Sequence, residues 1–227
     1  MNIHPLHSWD LTHAAAVALQ RQLAARVVTD TPLPSCDLIA GADVSNDRFS
    51  DTLYAGVVVL RTSDLSVVER RGAVAESTFP YVPGLLSFRE APVLLRAFAR
   101  VESRPDAVMC DGQGLAHPRR LGLACHVGLW LDLPCLGCAK TRLTGRYQEP
   151  DRTPGSRAPL VDGGTVLGSV VRTKASAGPV FVSPGHRIDL ESSVRWVLAT
   201  CRRYRLPEPT RLAHLYVNEL RRGEAAM

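Results

Sequence analysis

Four residues of this chain combine reactive side chains with positions where such groups are costly. Asp43 ends the apolar run in "AGADVS", Asp111 directly follows Val108-Met109-Cys110, Glu90 closes "SFRE", and Lys140 follows the apolar Cys135 to Ala139. An aspartate at the end of a buried run is expensive unless something pairs with it. Carboxylate oxygens are the hard ligands that Mg²⁺ takes, and a cation held that way activates water and stabilises a leaving oxygen in phosphodiester hydrolysis. Lys140 adds a positive charge for a phosphate. Glu90 has a competing reading, because Ser87-Phe88-Arg89-Glu90 matches a capping box. Pro92 opposes it, since with Ser87 as the cap the proline falls where a backbone donor is needed. The sequence therefore predicts a helix starting nearer Pro92, from about Ala91 to Val101, with Glu90 free to point elsewhere.

The elements that must position these residues follow from periodicity and turn signals. An amphipathic helix is expected from Leu11 to Val28, then a linker at Thr31 to Ser35 broken by Pro32 and Pro34. Three short apolar runs follow, Leu38 to Val44, Leu53 to Arg61 and Ser66 to Ala75; separated by short turns, they predict an antiparallel meander. Ala107 to Cys110, a helix from Gly122 to Leu131 and Cys135 to Ala139 form a βαβ unit with parallel strands. Asp111 and Lys140 then leave the same sheet edge, where open α/β sheets bind ligands. A looser glycine-rich stretch, Gly145 to Gly164, precedes strands near Val166 to Arg172 and Val180 to Val182, and "LPEP" separates two C-terminal helices. This order is that of an α/β, ribonuclease H-like fold: a mixed central sheet, antiparallel strands first and parallel strands after, flanked by helices.

Two stretches stand out beside the acids. In "CDGQGLAHPRR", Gly112 and Gly114 let backbone come close to a flat or charged ligand, while His117, Arg119 and Arg120 border a helix start that favours phosphate. In "FPYVPG", Phe79 and Val82 each precede a proline and are pushed to extended backbone, so Tyr81 sits on a stiff loop. A rigid exposed ring suits wedging into a base stack, which accompanies base flipping.

The 227 residues can build one sizeable core, so one domain spanning residues 1–227 is expected, with 45% hydrophobic and 22% charged residues. A charge of +5 points towards an anionic partner. The Cys135-x-x-Cys138 pair has a metal-knuckle spacing, but residues three apart on a strand face opposite ways, so the six cysteines are expected as free thiols. No apolar run is long enough to span a bilayer, and the first ten residues lack a signal-like pattern; the expectation is a monomer in the cytoplasm, away from membranes.

Together, "AGADVS", "PYVPGLLSFRE", "DGQGLAHPRRLGLACHVGL", "GCAKTRL", "GHRIDL" and "YRLPEPTR" resemble the endonuclease V family, the deoxyinosine-directed repair nucleases, over nearly the whole chain. The resemblance implies Mg²⁺, with Mn²⁺ as a substitute, and DNA containing deaminated bases as partner. It implies cleavage at the second phosphodiester bond 3′ to the lesion. Asp43, Glu90 and Asp111 match the family's metal carboxylates, Lys140 its active-site lysine, and His214 a position near the metal. Pro80, Tyr81, Val82 and Pro83 match the strand-separating wedge. Gly84, Leu86, Gly112, Gly114, His117 and Gly137 match a lesion pocket read mainly by backbone groups. Cys138 and Asn46 depart from the residues usual there without touching the chemistry. Inosine in RNA is the alternative substrate, and non-catalytic binding of deaminated or branched DNA the alternative class.

Overall fold

In the computed structural model, which describes residues 1–47 and 50–227, the chain is built on one eight-stranded mixed sheet. The strands are β1 (Leu38–Asn46), β2 (Thr52–Arg61), β3 (Val67–Glu76), β4 (Ala107–Cys110), β5 (Cys135–Ala139), β6 (Arg157–Asp162), β7 (Thr165–Val171) and β8 (Val180–His186). Their spatial order is β3-β2-β1-β4-β5-β8-β7-β6. The first three form the expected antiparallel meander, and β4 lies parallel to both β1 and β5.

The central strands are apolar on both faces because helices cover both. Val108 and Cys110 of β4 pack with α2 (Leu86–Ala99) and α3 (Leu123–Leu131), while Ala107 and Met109 pack with α4 (Leu190–Ala199) and α5 (Glu208–Arg221). The alternation is the period-two geometry of a strand, and the resulting continuous apolar run marks a sheet buried on both sides. The same alternation sends Cys135 to one core and Cys138 to the other, and all six cysteines are free. The N-terminal helix α1 (His13–Ala24) lies outside α3, with Leu23 packed against Leu121, Cys125 and Leu129.

Three differences from the sequence expectation have physical causes. Helix α1 is shorter at both ends, starting after Thr12, whose side chain accepts from Ala15 N at 3.2 Å. Helix α2 starts at Leu86, five residues before Ala91, with Pro92 inside it. The apolar face made by Phe88, Ala91, Leu94, Leu95 and Phe98 is buried, and that burial outweighs the one backbone hydrogen bond Pro92 cannot donate. Within the stretch expected as loose, Arg157–Asp162 forms edge strand β6, where Pro159 is tolerated because one side of an edge strand needs no ladder partner.

Helix α5 lies unusually close to the sheet. A Cβ at Gly41 would stand 1.9 Å from Pro209 O, one at Gly56 2.7 Å from a Val217 methyl, and one at Gly72 2.6 Å from a Leu220 methyl. One glycine on each strand of the meander thus makes a trough for this helix. Gly41→Ala should force α5 outward, costing about 1–3 kcal/mol as overpacking does. In thermal denaturation that is a fall of several degrees, at roughly 2–4 °C per kcal/mol for a chain of this size; an unchanged Tm would show that the helix is not seated on the glycine.

Candidate active site

The parallel pairing of β1 with β4 aligns Ala42 with Cys110, and Asp111 N donates to Ala42 O at 2.9 Å. The next residue on each strand, Asp43 and Asp111, therefore leaves the same edge side by side. Helix α5, lowered by the glycine trough, brings His214 over them. Asp43, Asp111 and His214 each offer a ligand atom, and these atoms lie within 4.8 Å of one another. His214 Nδ1 donates to Asp43 Oδ2 at 2.8 Å, Asp43 Oδ1 accepts from Val44 N at 2.9 Å, and Lys140 Nζ donates to Asp111 Oδ2 at 2.5 Å. Asp43 is buried, whereas Lys140 and His214 are partly exposed and together mark the open side of the cluster.

Glu90 stands outside that group of three. It is the fifth residue of α2, and its carboxyl takes no hydrogen bond from the described residues. Burial, then the charges of Asp43 and Asp111, push its carboxyl up to about 8. The Asp111 carboxyl is raised by burial and by Asp43, against the pull of Lys140 and His214. The His214 imidazole is raised, chiefly by its hydrogen bond to Asp43. The site thus crowds more carboxyl groups than Lys140 and His214 can hold ionised at their ordinary values. Hard oxygen donors with one imidazole, short of positive charge, are a donor set that fits a divalent cation.

The residues expected to form a wedge lie on a loop anchored at both ends. Arg89, buried, donates to Phe79 O at 2.8 Å and to Asp51 at 2.9 Å. At the other end Gly84, with φ +80°, offers a carbonyl that accepts from Gln20 Nε2 at 3.1 Å, His117 Nε2 at 3.0 Å and Arg119 Nη2 at 2.6 Å. Between these anchors Pro80, Tyr81 and Pro83 are exposed and Val82 is half-buried; Tyr81, at 69% exposure, is the most open large apolar side chain in the described chain. A hollow of about 610 Å³ separates this loop from the ends of β1 and β2, with Tyr81, Arg89 and Glu90 on its wall.

Of the expected lesion-pocket residues, Leu86, Gly112 and His117 line one small cavity of about 60 Å³ beside Asp111. Gly114 and Gly137 serve a different contact. A Cβ at Gly137 would lie 2.5 Å from Gly112 O, and one at Gly114 would lie 2.1 Å from Pro184 O. The backbone that comes close at these glycines is the protein's own, laying the loop onto β5 and β8. Burial pushes the His117 imidazole down to about 4, and its Nδ1 accepts from Arg119 N at 3.1 Å, so Nε2 carries the hydrogen given to Gly84. Arg119 also donates to Gln20 Oε1. Arg120 donates to Asp162 at 2.8 Å and to His117 O at 2.9 Å. Both guanidinium groups are engaged inside the fold. Gln20, which also holds Leu121 O at 2.8 Å, was not singled out from sequence. Its signal was there: it falls on the face of α1 that buries Ala16 and Leu23, and a polar residue on an apolar stripe needs partners.

The raised Glu90 carboxyl has a consequence for stability. The unfolded chain gives up this proton near 4.5 and the folded one near 8, so the folded state holds the extra proton between those values. Stability then falls as pH rises through that window. In EDTA, Glu90→Gln should melt close to the parent protein at about pH 5 and several degrees above it at about pH 8.5. A difference in Tm that does not change with pH would mean that Glu90 ionises as an ordinary carboxylate.

Comparison with known proteins agrees with this geometry. The family model for endonuclease V matches residues 21–215. The endonuclease V of Gloeobacter violaceus is 50% identical over 221 residues, covering 96% of this chain and 90% of that protein. The crystal structure of endonuclease V from Streptomyces avermitilis superposes with a TM-score of 0.91 at 41% identity, covering 99% of this chain and all (100%) of the other. That of Ciona intestinalis, crystallised with inosine-containing DNA, shares the fold at a TM-score of 0.83 and 23% identity, covering 95% of this chain and 100% of its own. A family match across most of the chain, joined to 50% identity with a full-length relative, places this chain in the endonuclease V family.

Proposed function

We propose that this nuclease recognises deaminated bases in DNA, hypoxanthine first among them, and hydrolyses the second phosphodiester bond 3′ to the lesion, leaving a 3′-hydroxyl and a 5′-phosphate. The observation that carries the reading is the cluster of Asp43, Asp111 and His214 with Lys140 at its open side, in a chain of this family. The reading includes Mg²⁺, or Mn²⁺ in its place, a single domain over residues 1–227, a monomer, and action in the cytoplasm. No helix among the described residues is long and apolar enough to cross a membrane.

Asp43, Asp111 and His214 would hold the cation directly, and Glu90, standing further off, through water. Bound there, the cation supplies an activated water and offsets charge on the scissile phosphate. Lys140 donates a hydrogen bond towards the phosphate oxygen as charge develops on it, which is worth more in the transition state than in the ground state. Asp111 orients Lys140 for that task through their 2.5 Å contact. Tyr81, held by the Arg89 and Gly84 anchors, fills the gap left by the displaced base. The cavity of Leu86, Gly112 and His117 receives that base.

End-labelled DNA carrying one inosine, incubated with Mg²⁺ or with EDTA, should be cut once, at the second bond 3′ to inosine, and only with the metal. No cut, or a cut unrelated to inosine, would refute the reading, and an RNA strand in the same gel decides between the two nucleic acids. Asp43→Ala or Asp111→Ala should lower cleavage by roughly two orders of magnitude or more. Binding should stay intact or tighten, since a negative charge facing phosphate is gone. Near-normal turnover by either variant would remove the metal assignment.

The wedge makes a separate prediction. Tyr81→Ala should weaken binding to inosine in a duplex, because unstacking costs a few kcal/mol that the ring no longer offsets. The loss should be clearly smaller on single strands, with the cut position unchanged. Equal losses on both substrates would make Tyr81 a packing residue.

A further inference from the structure

Lys140 stands one residue beyond the sheet, where side chains take over the pairing that the neighbouring strands no longer supply. The β5 ladder ends at Gly137 against β4 and at Ala139 against β8. Past it, Lys140 O accepts from Arg205 Nη2 at 2.5 Å, and Thr141 O accepts from Gln113 Nε2 at 2.9 Å. Gln113 lies on the loop that follows β4. The same Arg205 nitrogen also donates to Pro179 O at 2.7 Å, one residue before β8. Arg205 thus bridges the fork at which β5 and β8 part, and the order β4-β5-β8 is carried one step further by two side chains.

Arg205 is a costly group to use there. It is half-buried, it forms no ion pair among the described residues, and its Nε is buried with no hydrogen-bond partner among them. A guanidinium spent on carbonyls, with one donor idle, is a poor source of stability. What it supplies is geometry. Its own backbone is pinned, because Arg205 O accepts from Thr173 Oγ1 at 2.6 Å, and α5 begins three residues later. A planar fork on a fixed backbone leaves the Lys140 carbonyl little freedom.

We infer that Arg205 is a positioning residue for Lys140: by holding the Lys140 and Pro179 carbonyls together, it fixes the backbone from which the ammonium reaches Asp111 and the reacting phosphate. This rests on the role given to Lys140 above. A lysine carries its charge on a flexible four-carbon stem, so the ammonium is placed accurately only when the backbone beneath it is fixed and its far end is engaged. Asp111 engages the far end, at 2.5 Å. Arg205 fixes the near end, and Gln113 holds the next carbonyl from the β4 side. A misplacement of about 1 Å at a reacting group can cost on the order of a hundredfold in rate, so Arg205 acts on the reaction without touching substrate.

The test is a double-mutant cycle with Lys140→Ala, which removes the ammonium but keeps the carbonyl that Arg205 holds. Single-turnover cleavage of inosine-containing DNA is measured with saturating Mg²⁺, and affinity by fluorescence anisotropy in EDTA. Arg205→Met should slow cleavage by about tenfold or more and leave affinity within about twofold. Arg205→Lys, which keeps the charge but not the fork, should recover part of that rate. In the Lys140→Ala background Arg205→Met should cost no more than about twofold, because the group it positions is gone. A merely structural role would instead slow both backgrounds by the same factor, and that result overturns the inference. So does a parental rate in Arg205→Met, or a loss of affinity as large as the loss of rate. Should Arg205→Met melt far below the parent, Arg205→Lys is taken through the same cycle, and an unchanged rate or an equal loss in both backgrounds overturns the inference there. If Lys140→Ala alone cleaves like the parent, the role given to Lys140 fails instead.

Discussion

Carboxylates crowded at one end of a sheet are the constraint on which this structure turns. Burial first, and then repulsion between like charges, raises the carboxyls of Glu90 and Asp111. Nothing about burial favours such a group; it persists because the surrounding structure holds the strands in place and because Lys140 and His214 offset part of the charge. What remains uncompensated is a cost that a divalent cation would offset. Stability given up at a site and recovered on ligand binding is the usual signature of a built active site.

Holding the acids there falls to backbone contacts far from any chemistry. The β1–β4 ladder puts Asp43 and Asp111 at one edge, and β5, parallel to β4, delivers Lys140 to it. From the opposite face, α5 can place His214 against Asp43 only because Gly41, Gly56 and Gly72 leave room for its backbone and side chains. The glycines of the meander are thus tied to the metal-capable group through one helix. On the far side of the site, a single buried glutamine, Gln20, joins the wedge loop at Gly84 to the loop at Arg119 and to Leu121 at the start of α3. The loop that carries Tyr81 and the loop that borders the cavity therefore share one anchor.

The polar network around His126 adds a second kind of order. Packed among Trp9, Trp130, Phe88 and His7, this histidine has no solvent to choose its tautomer, and its neighbours choose it instead. That order makes the Ser87 hydroxyl the donor to His126 Nδ1, at 3.0 Å.

Much of this was legible in the sequence. Charged residues ending apolar runs marked Asp43 and Asp111, because burial without a partner is too costly to be accidental; the meander and the βαβ unit followed from local periodicity and turns; the proline-flanked Tyr81 followed from restricted backbone. Motifs shared with a known family joined these into one site. What the sequence did not decide was whatever depends on two distant segments meeting. It could not seat Glu90 within α2, because the start of that helix at Leu86 is settled by burial of Phe88 and Phe98 and not by the local penalty at Pro92. It could not show that at Gly114 and Gly137 the protein's own backbone, at Pro184 and Gly112, comes too close for a side chain. It left Arg119 and Arg120 free for phosphate, and only the fold shows their internal partners. Residue type and spacing determine which groups are costly; tertiary contact determines which partner meets that cost.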